Sequence, residues 1–569
     1  FFFRIYFSTV SMWKWVSGHK NPRPEGSKLT YGIDDIPPLA MSLFLGLQHY
    51  LTMVGATLSI PLILADPLGV KDPADVAELM STIFFMSGVV TLLQTTVGTR
   101  LPIVQGGSFA FLPPAVLICA HPDLKEAAWQ ERLRTIQGAF IIGSLLEMFV
   151  GFSGVMGILL RLLSPVSIAP TVALVGLSLY GVAAPKAGTD WLLGGLTILF
   201  IITTSQILPR TRLEHTTFGR FCRLFPVLGS LVVIWFLAGI LSAAGYYKKG
   251  DPGFTDFSSL ERVPWIRVPY PFQFGWPIFR ADAILGMLAG FFASMCESVG
   301  DYYACARLVE VRPPSERMVN VGIGMEGIGC LLAGIWGTGN GTTSYSENVG
   351  VLGVTRVGSR HVVQCGAILM VMMGILGKFG GVFATIPGPV VGGLWCAMFG
   401  MIAAVGLSSL QHVDLDSPRN LFVIGFALFM GLTLPVEIQA HPIKFEGAPT
   451  WSSILNVLLS TGMTVGLLCG AVLDNIIPGT DRERGLHGWK QWEGADEQQE
   501  EPYHTWLCRK LFCCCRGSPP QPAAQEMSRV PSHNPASEAH EDPVDAENRR
   551  PTECSETANL SPRECKPEV

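Results

Sequence analysis

An all-α polytopic membrane protein is the fold class this sequence predicts, with 14 transmembrane segments in two inverted seven-span repeats and short β-strands before half-helices in spans 3 and 10. Three observations carry that expectation. Mean hydropathy is +0.38 over 569 residues. Charged residues make up only 15%, against about 25% in an ordinary soluble chain. They gather in the N-terminal stub, a few loops and the C-terminal tail, which leaves apolar runs long enough to cross a bilayer. Finally, two glycine-rich polar segments, QGGSFAFLPPAV at 105–116 and GTTSYSENVGVLGV at 341–354, interrupt those runs seven spans apart. An odd number of spans per half forces the second half to be inverted.

The runs place spans at 38–65, 79–97, 103–119, 136–156, 164–182, 191–207 and 223–245, then at 280–300, 318–336, 347–357, 362–386, 388–407, 418–435 and 453–473. The chain divides into a cytoplasmic segment 1–31, a membrane domain 32–475 and a charged, Pro-rich tail 476–569. The tail has too little apolar surface to fold alone. The first stretch begins without Met and shows no cleavage-site pattern, and Arg4 and Lys14 interrupt it, so neither a signal peptide nor a helix is expected there.

Basic residues near span ends set the orientation. Lys20, Arg23 and Lys28 precede span 1, and Arg100, Arg161, Arg210, Arg307, Arg356 and Arg419 follow even-numbered spans. Both termini are therefore expected in the cytoplasm, although Lys248, Lys249 and Arg262 lie on the opposite side. Most of the 14 Cys lie in or beside apolar spans and read as small hydrophobes. Cys508, Cys513, Cys514 and Cys515 cluster in WLCRKLFCCCRG, a candidate acylation patch. GTGNG lacks the Lys of a phosphate loop, so nothing supports an ATP-driven pump. Composition excludes a soluble enzyme, and no nucleic-acid or metal signature stands out.

Gly, Ser, Thr and Pro sustain a mid-membrane helix poorly, and irregular backbone survives there only inside protein or along a cavity. Ser108-Phe109-Ala110-Phe111 and Thr343-Ser344-Tyr345-Ser346 each alternate briefly. Each is expected to form a short strand leading into a half-helix. The two strands would satisfy each other's backbone, and the half-helix N-termini would aim partial positive charge at a ligand.

Acids in apolar sequence mark the site, because a carboxylate at bilayer depth is rare and usually functional. Glu297 and Asp301 are four apart and share a helix face. Glu326 lies in the glycine-rich span 9, as an orienting hydrogen-bond partner or a direct ion-coupling group. Glu347 opens the second half-helix beside Asn348, which both donates and accepts. Such a set suits a planar ligand with adjacent ring N–H and C=O groups. Glu297 would accept from N–H donors, backbone near Phe109 and Ser346 would meet carbonyl oxygens, and Phe109 and Tyr345 would cover the ring. Gln48 and His49 are polar in mid-span 1, as glue between helices or with Gln48 fixing Asn348 or the ligand.

QHY at 48–50, QGGSFAF at 105–111, ESVGDYYACARL at 297–308 and TGNGTTSYSENVGVLGVTRVGSR at 338–360 resemble the nucleobase–ascorbate transporter family. The last holds its signature, read here from Glu347-Asn348-Val349-Gly350 through Thr355-Arg356. The resemblance covers about 32–475 and implies core and gate domains, a plasma-membrane homodimer, an elevator-like motion and secondary transport without a resident cofactor. It also implies substrate contacts at Phe109, Glu297, Glu347 and Asn348, and ion-linked or supporting acids at Asp301 and Glu326, with Asp301 the sodium-linked candidate. Phe109 and Phe111 compete for the aromatic position. ESVGDYYACARL and GVLGVTRVGSR look like the animal, sodium-coupled branch. Vitamin C carriers there usually have Pro where this chain has Glu347. The expected substrate is thus a nucleobase such as uracil, thymine, hypoxanthine or guanine, with ascorbate or urate as the alternative.

Overall fold

The computed structural model describes residues 28–156, 164–211, 216, 219, 222, 225–445, 449–480 and 483–485. The N-terminal stub before residue 28, the cysteine cluster and the tail beyond residue 485 lie outside the described residues. Helices α1 (Leu39–Leu68) and α2 (Pro73–Thr96) come first. Gly69 closes α1 at φ 84°, in the left-handed region open to glycine. Asp72 caps α2 by accepting from the Ala74 N–H at 3.0 Å, as short acids do at helix starts. Strand β1 (Gln105–Gly107) then passes through a 3₁₀ turn at Phe109–Phe111 into the half-helix α3 (Leu112–Cys119).

Next come α4 (Trp129–Ser153), α5 (Pro165–Leu177), α6 (Tyr180–Gly188), α7 (Trp191–Ile202) and α8 (Pro226–Ala243). A long loop leads to α9 (Ala281–Leu308) and α10 (Glu316–Trp336). Strand β2 (Thr342–Ser344) enters the second half-helix, α11 (Ser346–Thr355). The remaining helices are α12 (Arg360–Ile375), α13 (Gly377–Ala384), α14 (Gly388–Ser408), α15 (Pro418–Ala440), α16 (Pro449–Leu459) and α17 (Gly462–Ile476).

Among the described residues, 10 helices are long and apolar enough to cross a membrane, and three shorter apolar helices accompany them. Phe44, Phe236, Phe429 and Trp451 are each more than 60% exposed, as suits side chains that face lipid. The chain is a multi-pass, all-α membrane protein, with one strand pair among the described residues.

That pair is antiparallel, with Gln105 opposite Ser344, Gly106 opposite Thr343 and Gly107 opposite Thr342. The expected pairing is present, but both strands are shifted. The first lies at 105–107 rather than 108–111, because the Ser108 hydroxyl accepts from the Ala110 N–H at 3.1 Å and turns the chain into the 3₁₀ segment. The second ends at Ser344, since Tyr345 is already the cap of α11. Gly106 is required by close approach: a Cβ there would stand 2.7 Å from the Tyr345 ring.

Two expected single spans are broken. Span 362–386 splits at Leu376 between α12 and α13. There the loop before α9 supplies the lost partners: Arg267 N–H donates to Ile375 O at 2.8 Å, and Gly377 N–H donates to Trp265 O at 3.1 Å. Span 453–473 is α16 plus α17, broken at Ser460-Thr461. Asn456 pins α16 by bonding Ile443 N and O at 2.8 and 2.9 Å, and a Cβ on Gly462 would lie 2.6 Å from Gly431 O. Spans 164–182 and 191–207 are not lost in this way: Pro165–Gly188 runs as one apolar length through the turn between α5 and α6, and Trp191–Arg210 as another through a π turn at Thr203–Ile207.

Two packing groups emerge. α4 lies along α10, and α12 lies along α1 and α2, while α14 packs on α5, α6 and α7 and α17 packs on α5 and α15. Glycine sets the α4–α10 distance: a Cβ on Gly151 would meet Gly324 N at 2.2 Å, the small-residue contact that lets membrane helices approach closely.

Candidate functional site

The strand pair brings two distant half-helix starts together, and α9 runs beside both. Two acids of α9 are each tied to one of them. Ser108 Oγ donates to Glu297 Oε2 at 3.4 Å, and Ser346 Oγ donates to Asp301 Oδ1 at 2.8 Å. Glu297 is half-buried. Asp301 is 6% exposed, and its Oδ2 has no hydrogen-bond partner. Glu347 is exposed in the first turn of α11, where the helix dipole favours a carboxylate. It is an electrostatic neighbour of Glu297.

Asn348 is fully buried. Its Nδ2 donates to His49 O at 2.8 Å and lies 3.3 Å from His49 Nδ1, while its Oδ1 has no partner. The α1 residue that fixes Asn348 is therefore His49 and not Gln48. Neighbouring helix positions point about 100° apart, so only one of the two can meet α11. Gln48 is 8% exposed on the same helix. Asn348→Leu should lose a bond worth about 0.5–1.5 kcal/mol and lower the thermal midpoint of the purified protein. His49→Ala keeps the carbonyl acceptor and should lower it less.

The two candidate aromatic residues pack differently. Phe111 is fully buried with Phe140 and Phe291 at ring-centroid distances of 5.0 Å each. Phe109 sits at the half-helix start and meets Phe399 of α14 edge-on at 6.0 Å. Tyr345 is nearly buried. Its hydroxyl donates to Gly107 O at 2.8 Å and pairs with Thr57 Oγ1 at 3.1 Å, so its ring lies across β1 and braces it.

Behind the strands, fully buried Glu326 offers one oxygen to three donors: Ser344 Oγ at 2.7 Å, Tyr302 OH at 2.8 Å and Gln105 Nε2 at 3.2 Å. It thereby joins β1, β2 and α9. Ser298 adds a second tie, pairing with Thr343 Oγ1 at 2.8 Å and accepting from Ser344 N–H at 3.3 Å. Sequence reasoning missed Ser108, Ser298, Gln105, Tyr302, Thr57 and Glu147. The short polar ones give no periodic signal in glycine-rich sequence. Glu147, an acid in GSLLEMFVG, carried the same signal as Glu297.

A model described as the Permease family matches residues 40–440. Human solute carrier family 23 member 2 is 43% identical over 86% of this chain and 82% of its own. Mouse solute carrier family 23 member 1 is 42% identical over 83% and 84%. Nucleobase-ascorbate transporter 12 of Arabidopsis thaliana is 36% identical over 83% and 73%. This chain belongs to the nucleobase–ascorbate transporter family. The transporter also shares its fold with murine solute carrier 26 family member A9, an anion transporter solved in an inward-facing state. That match has a TM-score of 0.50 at 12% identity and covers 74% of this chain and 68% of the other. The transporter is thus a membrane carrier of small solutes rather than an enzyme.

Proposed function

We propose that this transporter takes up nucleobases across the plasma membrane, driven by sodium. The observation that supports it is the meeting of Glu297 and Glu347 at paired half-helix starts, beside the unpartnered amide oxygen of Asn348. A base presents adjacent N–H donors, which two carboxylates can accept, and its carbonyls suit the backbone N–H groups near Phe109 and at the start of α11; Pro113 and Pro114 supply none at the start of α3. Phe109 covers the ring, with Tyr345 and Ser346 shaping the wall and Gln48 at its edge. Asp301, with one oxygen unpartnered, is the candidate sodium ligand, while Glu326 and His49 hold the frame. We assign α1–α4 and α9–α13 to a moving core and α5–α8 and α14–α17 to a gate, as 14 spans in two inverted halves. The core travels as an elevator within a homodimer, with both termini in the cytoplasm.

A second reading is ascorbate or urate transport. Whole-chain similarity leans toward it, because identity to the mammalian family 23 members (42–43%) exceeds that to the Arabidopsis transporter (36%). Glu347 argues the other way, since a second carboxylate beside the ascorbate anion is unfavourable. Cells expressing the chain should accumulate radiolabelled uracil, choline in place of sodium should abolish most of it, and excess ascorbate should compete poorly. Saturable ascorbate uptake without base uptake would make the second reading the correct one.

A further inference from the structure

Glu147 has no part in the scheme above. It lies on α4, fully buried, and neither carboxylate oxygen has a donor within 3.5 Å. Its neighbours are Glu326 and Cys330 of α10, and the Cys330 thiol is the one donor near it among the described residues. Glu326 commits Oε1 to three donors and leaves Oε2 without one. Cys330 is four residues on from Glu326 and shares its face of α10, with Gly329 at the edge of that face. Thr342 of β2 closes that face. Its N–H donates to Cys330 Sγ, and the thiol donates to Thr342 O, both at 3.3 Å. The Thr342 hydroxyl stands 2.6 Å from the place of a Cβ on Gly329. Thr342 is 2% exposed, and its hydroxyl is also unpartnered. Four buried oxygens without a partner, two on Glu147 and one each on Glu326 and Thr342, thus belong to residues that line the seam of α4, α10 and β2. Among the described residues, no Lys, Arg or His compensates either acid.

Buried charge must be compensated. A proton would join only one pair of these oxygens. A small cation takes several oxygen ligands at once and would use all four. We propose that Glu147, Glu326 and Thr342 form a monovalent-cation site in the α4–α10 seam, behind the strand pair and apart from Asp301. The identity of the ion, sodium, rests on the coupling proposed above. Because Glu326 also holds Gln105 and Ser344, an ion here stabilises the strands from which both half-helices start. Filling it would favour a formed substrate site.

The test uses the purified full-length protein, heated in sodium chloride or choline chloride, alongside sodium titrations of uptake in cells. Wild type should gain thermal stability with sodium, and uptake should rise with a Hill coefficient of about two if Asp301 holds a further ion. Glu147→Gln keeps the shape and removes the charge. The sodium needed for half the effect should rise at least about tenfold in both assays, and the Hill coefficient should fall to about one. Thr342→Val should shift both the same way by less, and it carries the test if Glu147→Gln does not fold. A Glu147→Gln or Thr342→Val protein that responds to sodium as wild type does overturns the site, as does a purified wild type that sodium leaves unstabilised. Sodium-independent wild-type uptake, with a stabilisation by sodium that Glu147→Gln loses, would keep the site and refute the coupling.

Discussion

Glu297→Gln is expected to cut base uptake by at least about tenfold while surface protein stays near normal. The amide keeps the shape of the side chain. It replaces an acceptor-only carboxylate with a group whose NH₂ faces the substrate's N–H, so donor opposes donor. A charge-assisted bond in a site closed to water is worth about 1.5–3 kcal/mol, and the unpaired donor adds to the loss. Among the described residues, the one hydrogen bond to this carboxylate is the long 3.4 Å contact from Ser108, which is why folding should survive. Glu347→Gln should be milder and alter base preference, because Glu347 is exposed and an amide oxygen can still accept. Glu347→Pro should lose base uptake without gaining ascorbate. Base binding to the purified variants decides the matter: unchanged affinity in Glu297→Gln removes Glu297 from the substrate contacts.

Glu326→Ala is expected to be more severe and to act on folding. Removing the carboxylate strands the Tyr302 OH and Ser344 Oγ donors and leaves Gln105 Nε2 with Ser344 Oγ alone, all on fully buried residues. Each unsatisfied buried donor costs about 1–3 kcal/mol, and the two hydroxyls together are a large share of a stability of about 5–15 kcal/mol. Most of the protein should fail to reach the surface, with a strongly lowered thermal midpoint for what is recovered. Glu326→Gln keeps an accepting oxygen and should retain much more folded protein. Surface biotinylation and thermal unfolding read both variants. An alanine variant with the wild-type midpoint would mean that the two hydroxyls find other partners.

The large features were legible in the sequence because membrane depth penalises what does not belong. Long apolar runs marked the spanning helices, and the Glu297–Asp301 spacing gave one face of α9. The two glycine-rich segments announced strands that pair. What the sequence hid was local and relational. The shift of β1 depends on the Ser108 hydroxyl reaching back to Ala110 N–H, one of several turns such a segment allows. The break at Leu376 depends on Arg267 and Trp265, about a hundred residues away in the chain. His49 rather than Gln48 meets Asn348 because of the rotation of α1 against α11, which hydropathy does not report. Phe109 and Phe111 looked equivalent until Phe140 and Phe291 enclosed one of them. Glu147 differs from these, because an acid in the apolar run GSLLEMFVG is as legible in sequence as Glu326.

The strand pair also sets a schedule for making the protein. Gln105 and its partner Ser344 are 239 residues apart. At roughly 5–20 residues per second, the ribosome needs on the order of 10–50 s to bridge that gap. Throughout that time β1 has an open backbone edge which a lipid interior cannot satisfy. The first half-helix therefore cannot settle at its final depth when its own stretch of chain emerges. It has to wait in water, or under the care of the insertion machinery, until the second arrives. Variants that weaken β2 should consequently injure biogenesis as much as transport, and the damage would fall on chains only partly made.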